Sequence, residues 1–275
     1  VRGFHLGRFA DLANSRWLVF SGSPGAASVS RQEAATLPKA GLYSVAVEQL
    51  VGFGSDGVVR LWSNSRALGV PDNPDSMVLS SDGDTIACLY RADHRVWTVR
   101  GLGRGEFAVS DWNAMPDDAT ELAAVADNGR SVLVSDGSNR LWLSAGDGTL
   151  APGSPGRWGV ILENGDWVQV DTEGYIDYFS TGPARVGEVR AMKPVGIGRS
   201  GECVLIADQE SNAIYSIHSK TREVRRIDST EAISRLTPIG LGMYLVTAPD
   251  VSVPLLLDTM TANPRIVSAL EGGER

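Results

Sequence analysis

Three short runs of sequence decide the fold: Val-Arg-Leu-Trp at residues 59–62, His-Arg-Val-Trp at 94–97 and Asn-Arg-Leu-Trp at 139–142. Each run is an apolar segment that ends in tryptophan and follows a turn containing glycine or aspartate. The three tryptophans are 35 and 45 residues apart. A recurrence at this spacing indicates a series of similar small β-sheets, because four-stranded repeat units take about 40–50 residues each.

A second recurring pattern supports the first. A polar turn, usually with Asn-Gly or Asp-Gly, precedes an apolar strand at residues 81–89, 127–134, 163–170 and 199–206, with a weaker copy at 14–20. Such dipeptides supply the positive φ angles of tight hairpins. Together the patterns predict seven units of four strands, at residues 1–38, 39–71, 72–110, 111–152, 153–190, 191–229 and 230–270.

One four-stranded sheet cannot bury both of its faces alone, whereas sheets packed around an axis can. We therefore expect residues 1–275 to form one all-β domain, a seven-bladed β-propeller of four-stranded antiparallel blades, with six blades as the alternative. No stretch keeps a helical apolar period for three turns. Residues 31–37, 121–126 and 230–236 are the only places where we consider one or two helical turns.

Two segments resemble known propeller repeats. Residues 55–62, Ser-Asp-Gly-Val-Val-Arg-Leu-Trp, resemble the end of a WD40 repeat, and residues 81–89 are similar to the repeats of TolB-like propellers. The Gly-His pair of WD40 repeats is absent, since the three histidines are His5, His94 and His218. The resemblance therefore implies the β-propeller superfamily and its fold, and it implies no particular activity.

Charge and composition make some classes of partner and some cellular locations less favoured than others. The net charge is −8, which disfavours nucleic acid, because phosphate binding needs a basic surface. No apolar run reaches 18 residues, so we expect no membrane span. Only three of the 25 basic residues are lysines, a bias that indicates a GC-rich bacterial genome. The chain starts at Val1, which fits a portion of a longer protein, and we favour an exported or cell-envelope location over a cytoplasmic one.

Motifs that could carry chemistry have simpler explanations. Residues 196–201 match G-x-G-x-x-G, but a strand rather than a helix is predicted to follow, which favours a hairpin turn. Cys88 and Cys203 fall in different units, which favours two free thiols. No cofactor is predicted. Calcium stays an alternative, because several aspartates in turns could supply oxygen ligands, although turn aspartates usually accept hydrogen bonds from their own backbone. These aspartates are Asp82, Asp84, Asp117, Asp118 and Asp147.

The candidate binding residues lie in connections that lead from the last strand of one unit to the first strand of the next. These connections are residues 70–76, 110–120, 151–158 and 228–235, and we expect them on one face of the disk. Long connections often carry function, and an exposed tryptophan beside a methionine is typical of an interface. The candidates are Trp112, Met115, Trp158, Arg157 and Asp75. The alternative is that both tryptophan rings fold back onto the core.

The sequence therefore favours a non-catalytic binding or scaffold module that engages a protein or small-molecule ligand through this face. The alternative is an enzyme, either a calcium-dependent lactonase-like hydrolase or a sugar-acting propeller, with its site at the central channel. The two hypotheses differ in the chemistry expected at the channel mouth: the enzyme requires converging Asp, Glu and Asn side chains.

Overall fold

The computed structural model describes residues 5–6, 10–12, 15–17, 20–21, 40–44, 49–61, 65–179, 183–229, 232–240, 243–247, 255–259 and 265–268. These residues form strands and turns and contain no helix, which confirms the all-β prediction. The helical turns considered at 121–126 are wrong, because the strand Ala119–Val125 covers that segment. Residues 232–236 contain no helix and a strand begins at Arg235, whereas residues 230–231 and 31–37 lie outside the described part of the chain. The described residues also form no helix that is long and apolar enough to cross a membrane.

Within the described residues, six four-stranded antiparallel sheets follow one another, and the strands of each sheet are paired in sequence order. Their strands are β5 Ala40–Ser44, β6 Gln49–Phe53, β7 Val59–Leu61 and β8 Arg66–Ala67; β9 Ser76–Leu79, β10 Thr85–Tyr90, β11 Arg95–Arg100 and β12 Ala108–Trp112; β13 Ala119–Val125, β14 Ser131–Asp136, β15 Arg140–Ala145 and β16 Leu150–Pro155; β17 Trp158–Ile161, β18 Trp167–Val170, β19 Tyr175–Phe179 and β20 Pro183–Arg190; β21 Pro194–Ser200, β22 Cys203–Asp208, β23 Ala213–His218 and β24 Val224–Asp228; β25 Arg235–Gly240, β26 Met243–Thr247, β27 Leu255–Asp258 and β28 Arg265–Ser268.

The first predicted unit, residues 1–38, differs from the others. It contributes four short strands, β1 His5–Leu6, β2 Ala10–Leu12, β3 Ser15–Trp17 and β4 Phe20–Ser21. These strands pair two by two, β1 with β4 and β2 with β3, rather than as one four-stranded sheet. The repeated sheets after residue 39 form an architecture that is compatible with β-propeller blades.

The hydrophobic core lies between consecutive sheets. Strand β10 is buried at all six positions, since neighbouring sheets cover both of its faces. The sheets β13–β16 and β17–β20 meet in the same way: Trp167, 3% exposed, stacks on Phe179 with ring centroids 4.0 Å apart and packs against Leu133 and Leu141. Burial of apolar side chains on both faces is what makes such short strands stable.

The strand tryptophans whose side chains are described are all partly or fully buried. Trp97 and Trp142 are half-buried, and the ring nitrogen of Trp142 donates a hydrogen bond of 2.8 Å to Asp136 Oδ2. The side chains of Trp17 and Trp62 lie outside the described residues.

The first strands of the six sheets contact one another in chain order from β5 to β25, and β25 also contacts β5. Hydrogen bonds join the turns that follow these strands to neighbouring sheets. Ser44 Oγ donates to the carbonyl of Gly83 at 2.6 Å, and Thr85 Oγ1 donates to the carbonyl of Asp127 at 2.7 Å. The ends of the first strands therefore gather on one side of the molecule, and their starts on the other.

Candidate binding pocket

A pocket of about 330 Å³ lies between the first strands, and every one of the six sheets contributes to its wall. Its lining is mostly apolar and includes Leu42, Met77, Leu79, Leu122, Val160, Ile197 and Leu236. Polar groups contribute to the wall as well, and the volume falls in the range of small-ligand sites.

The charged and aromatic lining residues sit where the first strands begin. Trp158 starts β17 and Arg235 starts β25, Arg157 directly precedes β17, and Glu121 is the third residue of β13. Trp158 is half-buried, while the three charged residues are exposed. The guanidinium carbon of Arg157 lies 5.1 Å from the centroid of the Trp158 ring, within the range of a cation–π contact. We call these four residues the entrance.

A second polar group lies at the ends of the first strands. Arg199, in β21, is only 5% exposed and pairs with Asp127, which follows β13 two sheets away. Its Nη1 atom is 3.1 Å from Glu163 Oε1 without hydrogen-bonding orientation, and its Nε has no hydrogen-bond partner among the described residues. Burial raises the pKa of Asp127 above its ordinary value, and the Arg199 charge acts in the opposite direction. We call Arg199, Asp127 and Glu163 the ion cluster.

Tyr244 supports the ion cluster from the last sheet. Its side chain is fully buried, and its hydroxyl donates to the carbonyl oxygen of Arg199. Burial raises the pKa of Tyr244, so the hydroxyl keeps its proton. Gly198 makes room for the ring, since a Cβ atom there would lie 2.2 Å from Tyr244 Cε1. Only glycine fits this position without a shift of the tyrosine.

Two of the predicted binding residues are buried away from solvent. Trp112 is 8% exposed and Met115 is 7% exposed, and both belong to the core cluster between the second and third four-stranded sheets. The Trp112 ring nitrogen donates a hydrogen bond of 2.8 Å to Ser144 Oγ. The expectation of an exposed ring at Trp112 is therefore wrong, and the alternative, a ring that folds back onto the core, describes it. The ring buries its apolar body against the next sheet and still satisfies its N–H.

The other three candidates are accessible, but only two meet. Arg157 and Trp158 line the pocket, as described above. Asp75 lies in the β8–β9 connection and accepts hydrogen bonds of 2.8 Å from both the backbone and the guanidinium of Arg91. These bonds lower the pKa of Asp75, and they hold it in a local turn rather than at the pocket wall.

Three of the four predicted connections are shorter than the sequence suggested, whereas the β8–β9 connection, residues 68–75, is one residue longer than the predicted 70–76. Strand β12 continues to residue 112 and strand β16 to residue 155, which leaves only residues 156–157 between β16 and β17. The connection 228–235 includes residues 230 and 231, which lie outside the described part of the chain. Of the described residues in these four segments, only Arg157, Trp158 and Arg235 line the pocket.

The motifs weighed for other chemistry have structural roles. Asp82 Oδ1 and Asp147 Oδ1 accept backbone N–H bonds within their own turns, at 3.0 and 2.9 Å. Among the described residues, no group of three or more His, Cys, Asp or Glu side chains is placed to hold a metal ion. His218 has a single carboxylate neighbour among the described residues, since its Nε2 lies 3.4 Å from Glu202 Oε2.

The glycine motif and the cysteines are also built into the sheets. Gly196 and Gly198 lie inside β21, the turn takes only residues 201–202, and strand β22 follows. Cys88 and Cys203 are both free thiols. Burial raises the pKa of Cys88 to about 12, which keeps it a neutral, unreactive thiol.

Sequence reasoning missed Arg235, Glu121 and the ion cluster. One feature of the sequence could have indicated that Arg199 is buried. It is a charged residue that follows two glycines and an isoleucine at the end of an apolar segment. Its pairing with Asp127 depends on how sheets two places apart approach each other, which no local pattern records.

No protein-family model matches the chain, and no curated protein matches it either.

Proposed function

We propose that the six four-stranded sheets close into a six-bladed β-propeller, and that this propeller is a non-catalytic binding module whose ligand occupies the pocket between the first strands. Support for closure comes from the contact between β25 and β5, which joins the last sheet to the first. The WD40-like and TolB-like runs support the same superfamily. Six blades were the sequence-based alternative, and residues 5–21 supply paired short strands instead of a further four-stranded sheet.

The observation that carries the binding proposal is the composition of the pocket. Apolar side chains from all six sheets form its wall, and the entrance adds one aromatic ring and three charged groups. This combination binds by burying apolar surface and by orienting a polar end. Ser81 is the one hydroxyl side chain in the described lining, and neither histidine nor cysteine lies beside it there, so the wall offers binding groups rather than a nucleophile with its base.

The proposal is tested by filling the pocket. Ala123 lines it from β13, so Ala123→Phe places a phenyl ring in the cavity. A chemically diverse fragment set is screened against the wild-type chain by saturation-transfer NMR. We expect fragments that bind the wild type to lose their signal with Ala123→Phe and to lose part of it with Trp158→Ala.

The matched control is Ala108→Phe, on the exposed outer strand β12, which should leave the fragment signals unchanged. Circular dichroism spectra of all variants report whether the sheets are intact. Fragments that bind equally well to the folded Ala123→Phe variant, or a screen without any binder, would refute a ligand site in the pocket.

A further inference from the structure

We infer that the ligand of this pocket is a small amphipathic anion: a carboxylate held at the entrance by Arg157 and Arg235, and an unbranched apolar body that lies along the pocket wall. The inference rests on the proposed binding function and names the ligand class for the same site.

The charge at the entrance favours an anionic head. Arg157 and Arg235 face one acidic lining residue, Glu121, so the entrance has an excess of positive charge in a chain whose net charge is −8. Elsewhere in the described chain, arginines such as Arg91 and Arg95 pair with aspartates. Neither entrance arginine has an ion pair with another described residue, although acidic residues outnumber basic ones in the chain.

Arg157 lies beside the aromatic ring of the entrance. Its guanidinium carbon is 5.1 Å from the centroid of the Trp158 ring, a cation–π contact that holds the charge at this position. No described residue accepts a hydrogen bond from the Arg157 guanidinium, so its N–H donors are available for a carboxylate, whose two oxygens match their spacing. The half-buried ring also gives the first part of an apolar chain a surface to pack on.

The pocket below the entrance has room for an apolar body. Lining residues of β13 extend from Glu121 to Val125, a depth of about 13 Å at the usual rise of a strand. The lining side chains beyond Glu121 in this strand are apolar, which accommodates an alkyl or aryl body. An extended chain of about eight carbons, as in octanoate, is shorter than this depth.

The ion cluster sets the direction of binding. It combines two carboxyl groups, those of Asp127 and Glu163, with the single guanidinium of Arg199. An anionic head at that end would meet this excess of carboxyl groups, whereas at the entrance it meets an excess of guanidinium groups. The head therefore belongs at the entrance, and the apolar tail points toward the ion cluster.

The test compares four probes by isothermal titration calorimetry on the full chain at pH 7: octanoate, octan-1-ol, octylammonium and acetate. We expect octanoate to bind at least about tenfold more tightly than octan-1-ol, because its head makes charge-assisted hydrogen bonds that the alcohol cannot make. Acetate, which lacks the tail, and octylammonium, which carries the opposite charge, should both bind more weakly than octan-1-ol.

Variants assign the effect to the entrance. Arg157→Ala and Arg235→Ala should each weaken octanoate binding roughly tenfold and leave octan-1-ol binding nearly unchanged. The matched control is Arg225→Ala, which removes the same charge from an exposed position on the outer strand β24 and should leave the binding of octanoate unchanged.

The outcomes separate the two proposals. If octan-1-ol and octanoate bind equally well, or if neither arginine variant weakens octanoate, while Ala123→Phe abolishes both, the anion inference is overturned and the binding function stands. If none of the probes binds and the fragment screen also finds no binder that Ala123→Phe displaces, both proposals fail.

Discussion

Replacing Asp136 with asparagine is expected to destabilise the protein by about 2 kcal/mol at pH 7. Asp136 ends β14, is 7% exposed and organises the turn that leads into β15. Its Oδ1 accepts hydrogen bonds from the backbone N–H groups of Ser138 and Arg140, at 2.8 and 2.9 Å, and from the Ser138 hydroxyl at 2.7 Å. Its Oδ2 accepts the Trp142 ring N–H at 2.8 Å.

The magnitude follows from the carboxylate's pKa. Burial alone would raise the pKa of Asp136, but the hydrogen bonds from Trp142, Ser138 and Arg140 lower it from 3.8 to about 2. Each pKa unit corresponds to about 1.4 kcal/mol, so the ionised form contributes about 2 kcal/mol to folding. Because the folded-state pKa is depressed, this contribution is complete well above pH 4 and is lost as the pH falls from about 4 to about 2.

The assay is urea denaturation of the wild type and Asp136→Asn, followed by tryptophan fluorescence at pH 7, 5, 3 and 2. We expect the stability difference to be constant from pH 7 to 5 and to shrink by pH 2, where the wild-type carboxylate is half protonated. The control is Asp147→Asn, an exposed turn position whose Oδ1 accepts only from Thr149 and which asparagine can replace. A difference near zero at pH 7, or one that persists unchanged at pH 2, would contradict the reasoning.

Two further predictions concern contacts between sheets. Gly196→Ala should cost about 1–3 kcal/mol by overpacking, because the new Cβ would lie 2.6 Å from the backbone oxygen of Leu236. The control is Gly146→Ala, whose Cβ would have its nearest contact at 3.5 Å and which should change the unfolding midpoint little. Equal effects of the two changes in thermal melts would argue against a close approach of the sheets. Arg199→Met should cost about 1–3 kcal/mol by leaving the half-buried Asp127 without its cation, and adding Asp127→Asn should recover part of the loss. A double-mutant cycle in urea with no recovery would show that the two side chains are not coupled.

Local patterns predicted the strands well where turn chemistry and apolar alternation agree. The runs that end in Trp97 and Trp142 became strands β11 and β15, and the Asp-Gly turn at 136–137 binds its own backbone, as turn aspartates usually do. The same patterns could not separate Trp112 from Trp158. Both rings lie near an outer-to-inner connection, and only the packing of the next sheet buries the first and leaves the second at the pocket entrance.

The amino-acid sequence by itself determined the kind of structure: short antiparallel strands, four to a sheet, with tight turns between them. These features depend on residues close together in the chain, where the positive φ of glycine and alternating burial act directly. Only the tertiary structure decided which side chains share a site. Arg157 and Arg235 meet at one cavity, and Arg199 reaches Asp127, because separate sheets converge at their first strands. The convergence depends on sheet-to-sheet packing across distant segments, and local sequence does not encode it.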